Sequence, residues 1–194
     1  MNEVQESDTE VIQRLRGGEE AAFEVLVQRY RQRVYRLAVR FMRNREEAEE
    51  VSQEVFLTVY RKLAQFEGKS SFSTWLYRVA VNASLMRLRS REQTETVPID
   101  DLAGDLAGDE DDAVEPPDSR LHSEEALAQI ERAMDNLPEE FKTILILRDI
   151  EDFSNEETAE IMDLTVAAVK SRLHRARSYL RKRLEDVYRD TRGK

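Results

Sequence analysis

Between Glu92 and Ser119 the chain carries eleven Asp and Glu residues and not one Lys or Arg. The same stretch, "EQTETVPIDDLAGDLAGDEDDAVEPPDS", repeats DLAG, holds adjacent prolines and shows no apolar periodicity. Such a composition buries too little apolar surface to offset the entropy of ordering it. One continuous core therefore cannot close across this segment. Folding is expected on either side of it, as two small domains joined by a flexible acidic linker. The aspartates lack the spacing and the terminal Glu of an EF-hand, so a calcium loop is not expected.

Both flanks read as helix, giving an all-α fold. Gly17 and Gly18 can stop a short first helix, "TEVIQRLRGG". Phe23, Leu26, Val27, Tyr30, Val34, Leu37, Ala38 and Phe41 then recur at steps of three and four, the apolar stripe of an amphipathic helix. A third helix, "REEAEEVSQEVFLTVYRKLAQF", follows a break at Asn44, and the loop "EGKSS" leads into a fourth, "FSTWLYRVAVNASLMRLRSR". Beyond the linker, "SEEALAQIERAMDNL" resumes helical periodicity and Pro138 suits the first turn of "PEEFKTILILRDI". Ser154 with Glu157 makes a capping box, and Thr165 can cap the last helix.

The formal net charge of −10 is unevenly spread. Residues 120–164 hold 4 Lys and Arg against 13 Asp and Glu, whereas residues 165–194 hold 10 against 3. A basic end on an acidic chain points to an anionic partner met by one surface. On the last helix Val169, Leu173, Ala176 and Leu180 share a narrow arc, with Ala167, Lys170, Ser171, His174, Arg175 and Ser178 opposite. Small residues permit close approach to a DNA major groove, and the longer donors reach base edges and phosphates. A short helix, the tight turn "LT" and this helix have the layout of a helix-turn-helix.

The absence of Cys excludes disulfides and thiolate metal sites. With two His and no Gly-rich phosphate loop, neither catalysis nor a cofactor or metal is expected. No run approaches the roughly 18 apolar residues of a membrane span, and "MNEVQESDTE" lacks the features of a signal peptide, so a cytoplasmic protein is expected.

The segment "LPEEFKTILILRDIEDFSNEETAEIMDLTVAAVKSRLHRARSYL" resembles region 4 of bacterial RNA polymerase sigma factors of the extracytoplasmic function (ECF) type. "EEAEEVSQEVFLTVYRKLAQFEGKSSFSTWLYRVAVN" resembles their region 2. The resemblance implies a helical leader (1–19), a region 2 domain (20–92), the linker (93–121), a region 4 domain (122–188) with its helix-turn-helix at 155–174, and a tail (189–194). It further implies core RNA polymerase and promoter DNA as partners, together with an anti-sigma factor able to hold the chain at the membrane.

In this reading Glu50, Gln53, Glu54 and Leu57, which share a helix face, bind core polymerase. Lys69, Ser70, Ser71, Phe72, Ser73 and Thr74 supply the wall, the polar edge and the cation that capture an unpaired base of the −10 strand, with Arg78 and Asn82 one turn apart beside them. Trp75 is expected in the core, and Arg87, Arg89 and Arg91 on phosphates. Arg148, Thr165, Ala167, Ala168, Lys170, Ser171, His174 and Arg175 would meet the −35 duplex. Ala167 and Ala168 stand where many relatives carry Gly-Thr, which removes a hydroxyl from that surface.

Promoter elements two helical turns apart lie about 70 Å from each other. A tether of about 30 residues relaxes to roughly 30 Å and extends to about 100 Å, so it bridges them only when stretched. The rival reading is a two-domain helix-turn-helix regulator that binds DNA without polymerase. An adaptor that only sequesters a partner is a third.

Overall fold

The computed structural model of the chain describes residues 6–94, 132–134 and 136–192. Helix α1 (Asp8–Arg16) begins at a capping box: the Glu10 amide donates to Ser7 Oγ at 3.3 Å, and the Ser7 amide to the Glu10 carboxylate at 2.7 Å. Gly18, at φ 94°, turns the chain toward α2 (Ala22–Met42). The expected stripe of α2 divides in two. Leu26, Tyr30, Val34, Leu37, Ala38 and Phe41 are buried, whereas Phe23 and Val27 lie half-exposed at its edge.

Arg43 closes α2 in the left-handed conformation. Asn44 then caps α3 (Arg45–Lys62), its Oδ1 accepting from the Glu46 and Glu47 amides at 2.8 and 3.1 Å. A 3-10 turn, Leu63–Gln65, ends that helix, and α4 (Phe72–Thr94) returns to pack on α2 and α3. Phe72, Leu76, Tyr77, Ala80 and Val81 face this core, against Val51, Val55 and Val59 of α3. Helix α4 runs two residues into the segment assigned to the linker, because no breaker occurs before Pro98. The rest of that linker, and the start of the helix expected after it, lie outside the described residues.

Beyond the linker come α5 (Glu139–Leu145), a π-helical turn (Ile146–Ile150), α6 (Asn155–Met162) and α7 (Val166–Arg192). Pro138 stands one place earlier than expected, as the N-cap of α5. Phe141, Ile144, Leu145, Ile146, Leu147, Ile161, Val169, Leu173 and Ala176 make the core. The capping box at Ser154 forms, with the Glu157 amide 3.0 Å from Ser154 Oγ and the Ser154 amide 2.8 Å from the Glu157 carboxylate. Helix α7 continues to Arg192, through most of the segment assigned to the tail, since neither Gly nor Pro interrupts it before Gly193. No strand occurs among the described residues.

One tie between α1 and α2 has a pH signature. Tyr30 donates its hydroxyl to the Asp8 carboxylate, which Arg29 also bonds. Burial, and then this bond, push the Tyr30 phenol above its ordinary range. A raised native value means the stabilisation is complete below the unfolded phenol's pKa of about 10, and is lost as pH rises through the native value. A phenolate absorbance titration should therefore show one of the six tyrosines ionising late, together with loss of helix signal. Tyr30→Phe should remove that late step; all tyrosines titrating together in the wild type would contradict the assignment.

Candidate functional site

Three surfaces carry the residues singled out from the sequence. The first is an open groove of about 730 Å³ between α2 and α3. Phe23, Val27 and Tyr35 form one wall, and Phe56, Leu57 and Tyr60 the other. Leu57 is 57% exposed and Tyr60 48%, although both are large and apolar. Gln53 and Leu57 lie in the groove as expected, with Arg31 and Glu49 adding one charge of each sign. Glu50 and Glu54 are exposed but do not line it, and Glu50 bonds Arg87 of α4 at 2.6 Å. The aromatic wall was the part missed. Its signal was present: Phe56 and Tyr60 sit one turn apart, roughly 100° out of phase with the buried Val51, Val55 and Val59.

The second surface is the loop before α4. Gly68, at φ 73°, makes its turn, and Lys69 stands out into solvent beside Glu67. Ser71 caps α4: its Oγ accepts from the Thr74 amide at 3.1 Å and lies 2.8 Å from both the Ser73 and Thr74 hydroxyls. These hydroxyls are therefore largely engaged with one another. Three expectations are corrected here. Phe72 is only 4% exposed and packs edge-on against Tyr30 and Phe66, so it cannot offer an outer wall; Thr74, 3% exposed, is also interior. Trp75, expected inside, is half-exposed and rests on Phe66 and Phe72 at centroid distances of 5.3 and 5.9 Å. Phe72 and Trp75 lie three residues apart on one side of α4, and packing against Tyr30 encloses only the first of them. Further along, Arg78, Asn82 and the 69% exposed Met86 follow at steps of four. Arg87 and Arg91, expected on phosphates, pair with Glu50 and Glu47 of α3 at 2.6 and 3.5 Å.

The third surface is the helix-turn-helix. Asp163 ends α6 in the left-handed conformation, and the Leu164 amide bonds back to the Ala159 carbonyl at 2.9 Å. Thr165 Oγ1 accepts from the Ala168 amide at 3.1 Å and so caps α7. Ala167, Lys170, Ser171 and Arg175 are exposed, with Ala168 and His174 half-exposed. The inner cations serve the fold instead. Arg177 forks onto Asp149 at 3.0 and 2.5 Å, a bond that holds its guanidinium still more firmly protonated, and Arg172 reaches Glu140 at 3.2 Å. The acidic stretch before α7 thus engages its rear while its front stays open. Arg148 lies half-buried in the π turn, its Nε shielded and without a hydrogen-bond partner.

The chain matches the sigma-70 region 2 family over residues 26–94 and the sigma-70, region 4 family over residues 127–180. It is 35% identical over 189 residues to the RNA polymerase sigma-H factor of Pseudomonas aeruginosa, covering 96% of this chain and 98% of that one. The chain belongs to the ECF sigma factors of the sigma-70 family. The ECF RNA polymerase sigma factor SigW of Bacillus subtilis is 34% identical over 185 residues, covering 91% of this sigma factor and 96% of SigW. Among solved structures, CnrH in complex with the cytosolic domain of CnrY superposes with a TM-score of 0.64 at 22% identity, over 91% of this chain and 96% of that chain. RpoE of Bartonella quintana, in complex with the anti-sigma factor NepR, gives 0.59 at 24% identity, over 84% and 96%. Both likenesses concern the fold. As a sigma factor, the protein is a DNA-binding transcription initiation factor that works with core RNA polymerase. The region 2 match begins after α1, so that helix lies outside it.

Proposed function

We propose that the α2–α3 groove docks core polymerase, that the loop before α4 with Trp75 holds an unpaired −10 base, and that the front of α7 reads the −35 duplex. The observation that carries this assignment is the separation of exposed chemistry by site. An exposed aromatic and aliphatic groove suits a protein helix, a half-exposed indole beside Lys69 suits a base and its phosphate, and a cationic helix face suits duplex DNA. Met86 extends the Arg78–Asn82 line as an apolar contact for the same strand. The protein works in the cytoplasm, where an anti-sigma partner covers these surfaces until initiation is needed; no described helix is long and apolar enough to cross a membrane.

The test is a pair of binding measurements on holoenzyme assembled with its core polymerase, one with −35 duplex and one with a single-stranded −10 oligonucleotide. Arg175→Ala should cost about 1–3 kcal/mol on the preferred duplex and nothing on the single strand. An equal loss on every duplex sequence would demote Arg175 to a phosphate contact, and a loss on the single strand would refute the division between the two modules.

A further inference from the structure

Helix α1 is fastened at both ends. At its start Asp8 bonds Arg29 and Tyr30 of α2, and the Glu6 carbonyl accepts from Arg29 Nη2 at 2.6 Å. At its end Arg16 donates from Nη2 to the main-chain carbonyl of Phe66, fifty residues away in sequence. Phe66 is the last residue before the loop that begins at Glu67, and it is 8% exposed. Its ring carries the two aromatic residues that follow the loop, Phe72 at 5.9 Å and Trp75 at 5.3 Å. The carbonyl of a residue leaving a 3-10 turn has no helical partner, so one charged donor from α1 fixes a peptide that would otherwise be free to rotate.

We infer that Arg16 is a positioning residue for strand capture: by holding the Phe66 peptide it sets the ring on which Trp75 rests, and so the width of the site between Trp75 and the loop. This rests on the assignment of that loop to the unpaired strand. Arg16 does not touch the strand. A built-in control lies two residues earlier on the same helix, where Arg14 pairs with Glu6 and Glu19 at 2.7 and 2.5 Å, neither of which belongs to the loop.

Holoenzyme carrying Arg16→Ala should bind the single-stranded −10 oligonucleotide about tenfold more weakly, the scale of one charge-assisted hydrogen bond. Its affinity for core polymerase and for −35 duplex should be unchanged, and Arg16→Lys, which keeps one donor, should recover part of the loss. Arg14→Ala should leave the oligonucleotide affinity at the wild-type value. Because Trp75 is the only Trp, the emission of the free chain reports its packing directly and should shift with Arg16→Ala but not with Arg14→Ala. If wild-type holoenzyme binds the oligonucleotide and Arg16→Ala binds it equally well, the inference on Arg16 fails alone. If wild-type holoenzyme is indifferent to the oligonucleotide, the assignment of the loop fails and takes this inference with it. Equal losses in the Arg14 and Arg16 variants would reduce the effect to the general stability of α1 and overturn the positioning role.

Discussion

Leu57→Ala combined with Tyr60→Ala is expected to weaken binding to core RNA polymerase by about 100-fold while leaving the melting temperature of the region 2 unit near its wild-type value. About half of each side chain stands in water in the free protein and neither belongs to the buried core, so truncating them removes little from it. They line the groove with Phe23, Val27 and Phe56, so a partner seated there would bury them, and buried aromatic or aliphatic anchors at an interface centre cost about 2 kcal/mol or more each when cut to Ala. Such losses are not additive, hence about 100-fold and not the full product. Charge reversal at Glu50 and Glu54 together should also weaken docking, but part of its effect arises within the fold, because Glu50 holds Arg87. Sedimentation or surface-binding measurements with purified core separate the two variants. An unchanged affinity for the Leu57/Tyr60 variant would place the polymerase elsewhere.

Phe72→Ala and Trp75→Ala should have opposite consequences although they lie three residues apart. Phe72 is enclosed by Tyr30, Phe66 and the start of α4, so its removal should cost about 3–5 kcal/mol. That is a large share of the 5–15 kcal/mol that typically stabilises a domain, and should lower the unit's melting temperature by about 15 °C or more. Trp75, half-exposed, should be dispensable for most of that stability. Its loss should instead weaken single-stranded −10 binding by about 1–3 kcal/mol, the worth of one base stacked on an aromatic ring. Calorimetry and oligonucleotide titration on the same two variants give the comparison. A Trp75 variant that unfolds, beside a Phe72 variant that melts normally and loses the strand, would return both residues to the roles first read from the sequence.

That exchange of roles shows where the sequence was legible. Helix positions and most of their ends followed from periodicity and local caps, since Asn44, Ser154 and Thr165 act on backbone groups two or three residues away. The inner and outer faces of α7 followed for the same reason, as one helix fixes both. What stayed hidden needed partners distant in sequence. Nothing local distinguishes Phe72 from Trp75; Tyr30, which packs on Phe72, decides which of them turns inward. Nothing local assigns Arg87 and Arg177 to ion pairs within the fold while leaving Arg175 open, because Glu50 and Asp149 lie on other elements. The groove is the same case. Half of its wall is α2, and only packing brings Phe23 and Val27 opposite Phe56 and Tyr60.

Run-off transcription with purified core polymerase, across a library of promoter sequences, tests the central claim most directly. Adding the wild-type chain should select a subset of templates that share both an upstream duplex motif and a downstream motif at a fixed spacing, and Trp75→Ala or Arg175→Ala should each blur one motif and spare the other. Core polymerase that initiates no more selectively with the chain than without it would contradict the account.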